Sequence, residues 1–187
     1  MQVRMRLFTL AMLACALFPW TAPGQDYSYK GRLYGGLGTG RFYDDEGSLG
    51  NGPTYRAGSE WRPLKHLGIG GELMGIHHRR RDYFHVQGND VAFSVDAICY
   101  FSKSRLQPYV LGGIGILLPH YSYSWPGLPD AGSFKASKQD RAINLGAGAK
   151  FFINRRWSLD PEARLLLSSP NGYALVNYFS MAASYHW

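Results

Sequence analysis

The residues from Tyr173 to Trp187 (YALVNYFSMAASYHW) alternate large apolar side chains with small or polar ones through to an aromatic at the last position. Tyr173, Leu175, Phe179, Met181, Ala183, Tyr185 and Trp187 share one phase, with Asn177 the exception. Ala174, Val176, Tyr178, Ser180, Ala182, Ser184 and His186 share the other. A period of two is that of a β-strand, whose successive side chains leave opposite faces. Chain ends usually fray, and an unpaired strand edge is a liability. A strand that keeps its phase to the final residue is therefore expected in a sheet closed on itself.

At the other end, Arg4 and Arg6 precede an apolar run from Leu7 to Phe18, and Ala22-Pro23-Gly24 sets small residues where a signal peptidase reads. Residues 1–24 read as a secretory signal peptide and residues 25–187 as one domain. The run falls short of the ~20 apolar residues of a transmembrane helix. Cys15 offers a second reading, as a lipidation cysteine, with Met12 where a lipobox usually has leucine. Removal of the leader leaves Cys99 alone, so the fold cannot rest on an internal disulfide. The formal net charge is +7, and the one long stretch of like charge is His77-His78-Arg79-Arg80-Arg81. Acidic neighbours such as lipid phosphates fit that balance.

Eight segments of the mature chain have strand character: Tyr27 to Gly40, Thr54 to Arg62, Leu67 to Ile76, Asp90 to Ser102, Tyr109 to Leu118, Arg141 to Ile153, Trp157 to Ser168, and Tyr173 to Trp187. The fourth alternates most cleanly, and the fifth is apolar in both phases, which leaves its orientation open. Most approach the 9 to 11 residues that a tilted strand needs to cross a bilayer. Tight links around Pro63 to His66, Lys103 to Arg105 and Asn154 to Arg156 alternate with long ones over Arg41 to Pro53, His77 to Asn89 and Pro119 to Asp140. Short turns on one side and longer loops on the other are expected of an all-β, eight-stranded antiparallel up-and-down transmembrane β-barrel.

The two faces carry different chemistry. One phase holds Arg32, Arg56, Glu60, Arg62, Glu72, Asp96, Lys150, Asp160, Glu162 and Arg164 among many glycines. Eight strands leave a lumen only wide enough for side chains, so paired charge beside glycine is a plausible filling. The apolar phase places Tyr27, Tyr29, Trp61, Phe101, Tyr109, Phe151, Trp157, Tyr185 and Trp187 near the short turns or the chain ends, as an aromatic girdle at one membrane interface. Tyr55, Tyr173, Tyr121, Tyr123 and Trp125 could furnish the opposite one. Cys99 falls on the apolar face.

The signal peptide, the eight alternating segments, the run from Pro108 to Gly115 (PYVLGGIG) and the terminal aromatic resemble the small outer-membrane β-barrel family, of the OmpA transmembrane-domain, OmpX/Ail or opacity-protein type. The resemblance implies a monomeric barrel in the outer membrane of a Gram-negative type of envelope. It implies insertion by the barrel assembly machinery, with Phe179, Tyr185 and Trp187 in the strand that machinery recognises. Outer-membrane lipids and lipopolysaccharide are the implied partners. No cofactor, metal or nucleic acid is implied, and a peptidoglycan-binding domain after the barrel is not expected.

Three constellations could carry function. His120-Tyr121-Ser122 is reminiscent of lipid A deacylases of the PagL type, in which a His activates a Ser. Here Tyr123 stands where asparagine is expected, the pair lies in the third long link, and the next acid in sequence is Asp130. Arg79, Arg80 and Arg81, with His77, His78 and His85 nearby, suit phosphate better than metal, because guanidinium forks match phosphate oxygens whereas adjacent ring side chains on an extended backbone diverge. The lumenal charges read as structural salt bridges that plug the barrel, with a small gated pore as the alternative. The leading reading is a non-enzymatic barrel with a structural or surface-interaction role. Deleting Trp187 or replacing it with Ser is expected to impair outer-membrane assembly more than any loop substitution, measured as loss of heat-modifiable barrel in the membrane fraction.

Overall fold

The computed structural model describes residues 26–44, 47–81, 85–124, 134–137, 139–168 and 174–187; the signal-peptide region, Trp125 and Tyr173 lie outside them. The strands are β1 Gly31–Asp44, β2 Gly47–Leu64, β3 Leu67–Arg81, β4 His85–Tyr100, β5 Leu106–Leu118, β6 His120–Ser124, β7 Phe134–Ser137, β8 Asp140–Phe152, β9 Trp157–Ser168 and β10 Ala174–His186. They form eight staves, because β5 with β6, and β7 with β8, each keep one register. His85↔Ser124 and Val91↔Leu118 lie on a single ladder, as do His120↔Ser137 and Leu117↔Asp140. Pro119, which has no N–H to give, separates β5 from β6.

All neighbouring strands are antiparallel, and the sheet closes where β1 pairs with β10 and β3 with β4. The chain is thus a closed eight-stranded barrel. In hydrocarbon an unpaired backbone N–H or C=O costs several kcal/mol, and closure satisfies these groups without leaving an edge.

Alternation sets the two surfaces. Leu33, Leu37, Leu73, Phe93, Ile143, Leu159, Phe179 and Met181 face outward and are exposed, while Arg32, Met74, Asp96, Asn144, Asp160 and Ser180 in the opposite phase are buried. Tyr109, Leu111 and Leu117 are buried in β5 and Ile114 is exposed, so the odd positions of that stave point inward. The outward ring near the short turns comprises Trp61, Phe101, Phe151, Trp157, Tyr185 and Trp187. Tyr27, Tyr29 and Tyr109 do not belong to it, contrary to the sequence expectation: Tyr29 and Tyr109 are buried in the lumen, and half-buried Tyr27 sets its ring against buried Phe152. Tyr109 lies directly across from lumenal Tyr100 in the β4–β5 ladder. Tyr29 precedes a bend at Lys30 that breaks the period of two.

Beyond that bend the chain crosses the mouth of the barrel. Lys30 still closes the ladder, with its N–H donating to the Trp187 carbonyl (2.8 Å) and its own carbonyl accepting from Arg62 N (2.8 Å). Tyr27, three residues earlier, donates its N–H to the Lys103 carbonyl (3.0 Å) and accepts from Gln107 Nε2 (3.1 Å). Its ring lies 5.1 Å from that of Phe152. Lys103 and Gln107 belong to the wall opposite β1, so Tyr27 to Lys30 form a strap over the turn end.

The hairpins outrun the expected strand limits. Arg41↔Asn51, Arg79↔Gln87 and Ser122↔Lys135 are paired residues within stretches that the sequence suggests are loops. Polar residues in both phases leave no apolar alternation to read there, and the backbone ladder alone defines the strand. The β1–β2 ladder shifts register between Phe42 and Tyr43, where Gly50 takes a φ of 119° that an L side chain rarely adopts.

Candidate functional site

The lumen is the most densely functionalised part of the molecule, and it fills in layers from the turn end outward. At the mouth, the Tyr29 ring lies tilted 4.4 Å from His186, and Phe152 lies 4.7 Å from the same ring. Arg62 donates to Gln107 Oε1 (3.1 Å) and to the Lys65 carbonyl (2.5 Å), with its guanidinium over the rings of Tyr29 and Tyr100.

The next layer is a four-charge cluster. Arg32 Nε reaches Glu60 at 2.5 Å, and its other arm pairs with Asp160. Lys150 Nζ lies 3.0 Å from Glu60 and donates to the hydroxyls of Tyr29 and Tyr100. Ser158 and Ser184 donate to Asp160 at 2.5 and 2.6 Å.

Above it, two guanidiniums serve three carboxylates. Arg56 pairs with Glu162 (2.5 Å) and Glu72 (3.2 Å); Arg164 pairs with Glu162 (2.8 Å), Asp96 (2.9 Å) and Glu72 (3.1 Å). Neutral donors hold the surplus negative charge. Tyr34 and Tyr178 donate to Glu72 (2.9 and 3.2 Å), Tyr109 to Glu162 (2.7 Å), and Asn144 Nδ2 to Asp96 (2.7 Å). Room for these large groups comes from glycines beside them. A Cβ at Gly148 would lie 2.6 Å from the Tyr109 ring, and one at Gly146 would lie 2.7 Å from Arg164 Cγ.

The outermost layer is mainly apolar: Phe42, Met74, Ile76, Ala92, Leu117, Ala142, Leu166 and Val176 pack together with Tyr178, with buried Thr54 and Asp90 paired to either side of Ile76. An ion passing among these apolar side chains would lose much of its hydration, at a cost of several kcal/mol.

Of the ten charged lumenal residues singled out in the sequence, nine enter ion pairs, and Arg62 is held instead by Gln107, a backbone carbonyl and two rings. All are buried, none more than 6% exposed. A hydrolytic reading of this lumen fails on geometry. Ser158 Oγ lies 2.8 Å from His186 Nε2, but its hydroxyl proton is directed to Asp160. The serine thus stands between base and acid, whereas activation needs the His between Ser and acid.

Residues 8–186 match a family model described as the outer membrane protein beta-barrel domain. The chain belongs to this family. Among solved structures of such barrels, Neisserial surface protein A is 13% identical, with 84% of this chain and 97% of that one covered and a TM-score of 0.64. The attachment invasion locus protein Ail of Yersinia pestis is also 13% identical, over 86% and 99%, with a TM-score of 0.59. The N-terminal β-barrel domain of OprF from Pseudomonas aeruginosa is 15% identical, over 85% and 98%, with a TM-score of 0.57. At these identities the likeness establishes the fold. Comparison with curated proteins gave no match.

In this outer membrane barrel the remaining candidate residues lie at the loop end. His120 opens strand β6, is exposed, and donates its backbone N–H to Asp90 Oδ1 (3.0 Å). Ser122 pairs by backbone with Gln87 and Lys135; its side chain, like those of Tyr121 and Tyr123, lies outside the described part, as does Asp130. The pair is therefore on a strand and not in a loop. Arg79, Arg80 and Arg81 end β3, opposite Gln87, Val86 and His85, and not at a loop tip; their side chains too are outside the described part. Arg79 shares a row with Asn51 and exposed Arg41.

Sequence reasoning missed the lumenal roles of Tyr29, Tyr109, Gln107, Ser158, Ser184 and His186, and the apolar outer layer. The even phase of β10 and β9 carries a usable signal, since Ser158, Ser184 and His186 share it with Asp160. Arg164 is the hub of the middle layer, and its loss would leave three buried carboxylates short of a cation. Arg164→Met is expected to destabilise the barrel by roughly 3 to 5 kcal/mol, measured by urea unfolding in lipid vesicles.

Proposed function

We propose that this chain is a non-enzymatic barrel of a bacterial outer membrane, monomeric and closed to ions, with a structural or surface-interaction role. The observation that carries this reading is the filling of the lumen, charge-paired through its lower half and mainly apolar above. Charges paired with one another in a narrow bore are held in place and are not free to conduct or to react. Export by the signal peptide and insertion by the barrel assembly machinery through the strand holding Phe179, Tyr185 and Trp187 belong to the same reading, with the short turns on the periplasmic side. Planar-bilayer recordings of the refolded barrel are expected to lack stable unitary steps; regular steps would favour a small gated pore. The lipid A acyl-ester hydrolase alternative, through His120 and Ser122, draws no support from the described side chains.

Contact with lipopolysaccharide phosphates at the loop end has a specific support. Arg41 and Asn51, both exposed, stand in one backbone row with Arg79 across three strands, and arginine forks match phosphate oxygens. Arg80 and Arg81 follow directly. Replacing Arg79, Arg80 and Arg81 by Ser is expected to weaken binding of intact lipopolysaccharide several-fold while the barrel stays heat-modifiable. Dephosphorylated lipopolysaccharide should bind both forms equally weakly.

A further inference from the structure

The turn end carries a second, unassigned set of bases. Lys30, Lys65, Arg155 and Arg156 are exposed there, joined by Arg105 and half-buried Lys103, while Asp26 is the acid present in the described residues of these turns and the strap. The ion pairs of the described residues all lie in the lumen, so none of these bases enters one. Arg105 Nε donates to the Phe152 carbonyl (2.8 Å).

Their placement follows the aromatic ring. Lys65 comes four residues after Trp61, Lys103 two after Phe101, and Arg155 and Arg156 lie between Phe151 and Trp157. Lys30 is hydrogen-bonded through its backbone to Trp187. Trp and Tyr rings settle at headgroup depth, and long basic side chains next to them reach the phosphate layer. Solubility of a turn requires polarity of either sign. Charge of one sign in every short turn, set beside rings at headgroup depth, matches a layer of the opposite sign.

We infer that this rim binds the headgroup phosphates of anionic phospholipids in the leaflet next to the turns. Lys30, Lys65, Arg155 and Arg156 are the principal contacts, since their charged ends have no partner among the described residues. Surface charges of this kind draw anionic lipid by an attraction that falls off within a Debye length, so the preference is salt-sensitive. The inference rests on the membrane-spanning barrel but not on which compartment the turns face.

The full mature chain, refolded into phosphatidylcholine vesicles doped with spin-labelled phosphatidylglycerol or spin-labelled phosphatidylcholine, provides the test. Electron paramagnetic resonance is expected to show the anionic label motionally restricted several-fold more than the zwitterionic one at low salt, with the difference shrinking at high salt. The combined Lys30→Gln, Lys65→Gln, Arg155→Gln and Arg156→Gln variant should lose the preference. A control with Arg141→Gln, an exposed base at the opposite end, should keep it. Should the fourfold variant fail to fold, the pairs Lys30→Gln with Lys65→Gln and Arg155→Gln with Arg156→Gln are each expected to remove part of it. Equal restriction of both labels by the unaltered chain, or loss of preference only in the control, overturns the proposal. So does cosedimentation with purified peptidoglycan that the fourfold variant abolishes while no lipid preference exists. Heat-modifiable mobility reports folding separately from headgroup choice, and bilayer conductance reports the closed lumen, so failure here leaves that reading standing.

Discussion

The backbone's need for hydrogen-bond partners in a medium that offers none governs this molecule. Strand β1 meets that need by pairing along most of its length with β10 on one side and β2 on the other. Once the ring is closed with eight staves, its bore is narrow and its inner phase is cut off from bulk water. Everything inside must then be satisfied by other side chains. The tyrosines, serines and amides of the lumen follow from that restriction as directly as the arginines and carboxylates do.

Charge inside the bore is balanced locally and not by a single row of pairs. Around Glu60 and Asp160, two cations meet two carboxylates. One layer up, the shortfall of positive charge is taken over by phenol and amide donors on Glu72, Glu162 and Asp96. Hydrogen bonds to a charged acceptor are about twice as strong as neutral ones, which makes this substitution workable. The apolar side chains beyond need no such balance and sit where the staves approach the loop end.

The alternation of β4, β8, β9 and β10 is legible because one face meets lipid and the other the lumen, so every second residue is under opposite selection for polarity. The same reading assigns the charged phase to the interior before any contact is known. It fails where that contrast is missing. In β5 both phases are apolar, since Leu111 and Leu117 pack inward while Val110 and Ile114 face outward. Tyr29 escapes because its backbone has already left the ladder. The partners of each charge are unreadable, because they depend on stagger: Arg164 meets Asp96 across a separation of 68 residues. The far ends of the hairpins carry polar residues in both phases and so resemble loops in sequence while remaining ladder in structure.

The strap at the turn end has a mechanical consequence. A ring of staves resists stretching along each ladder but is soft to flattening, because neighbouring strands can hinge about their shared bonds. Tyr27 ties the root of β1 to Lys103, Gln107 and Phe152 on the far wall. The strap therefore lies as a spoke across a hoop, joining opposite walls at the mouth below the charged layers.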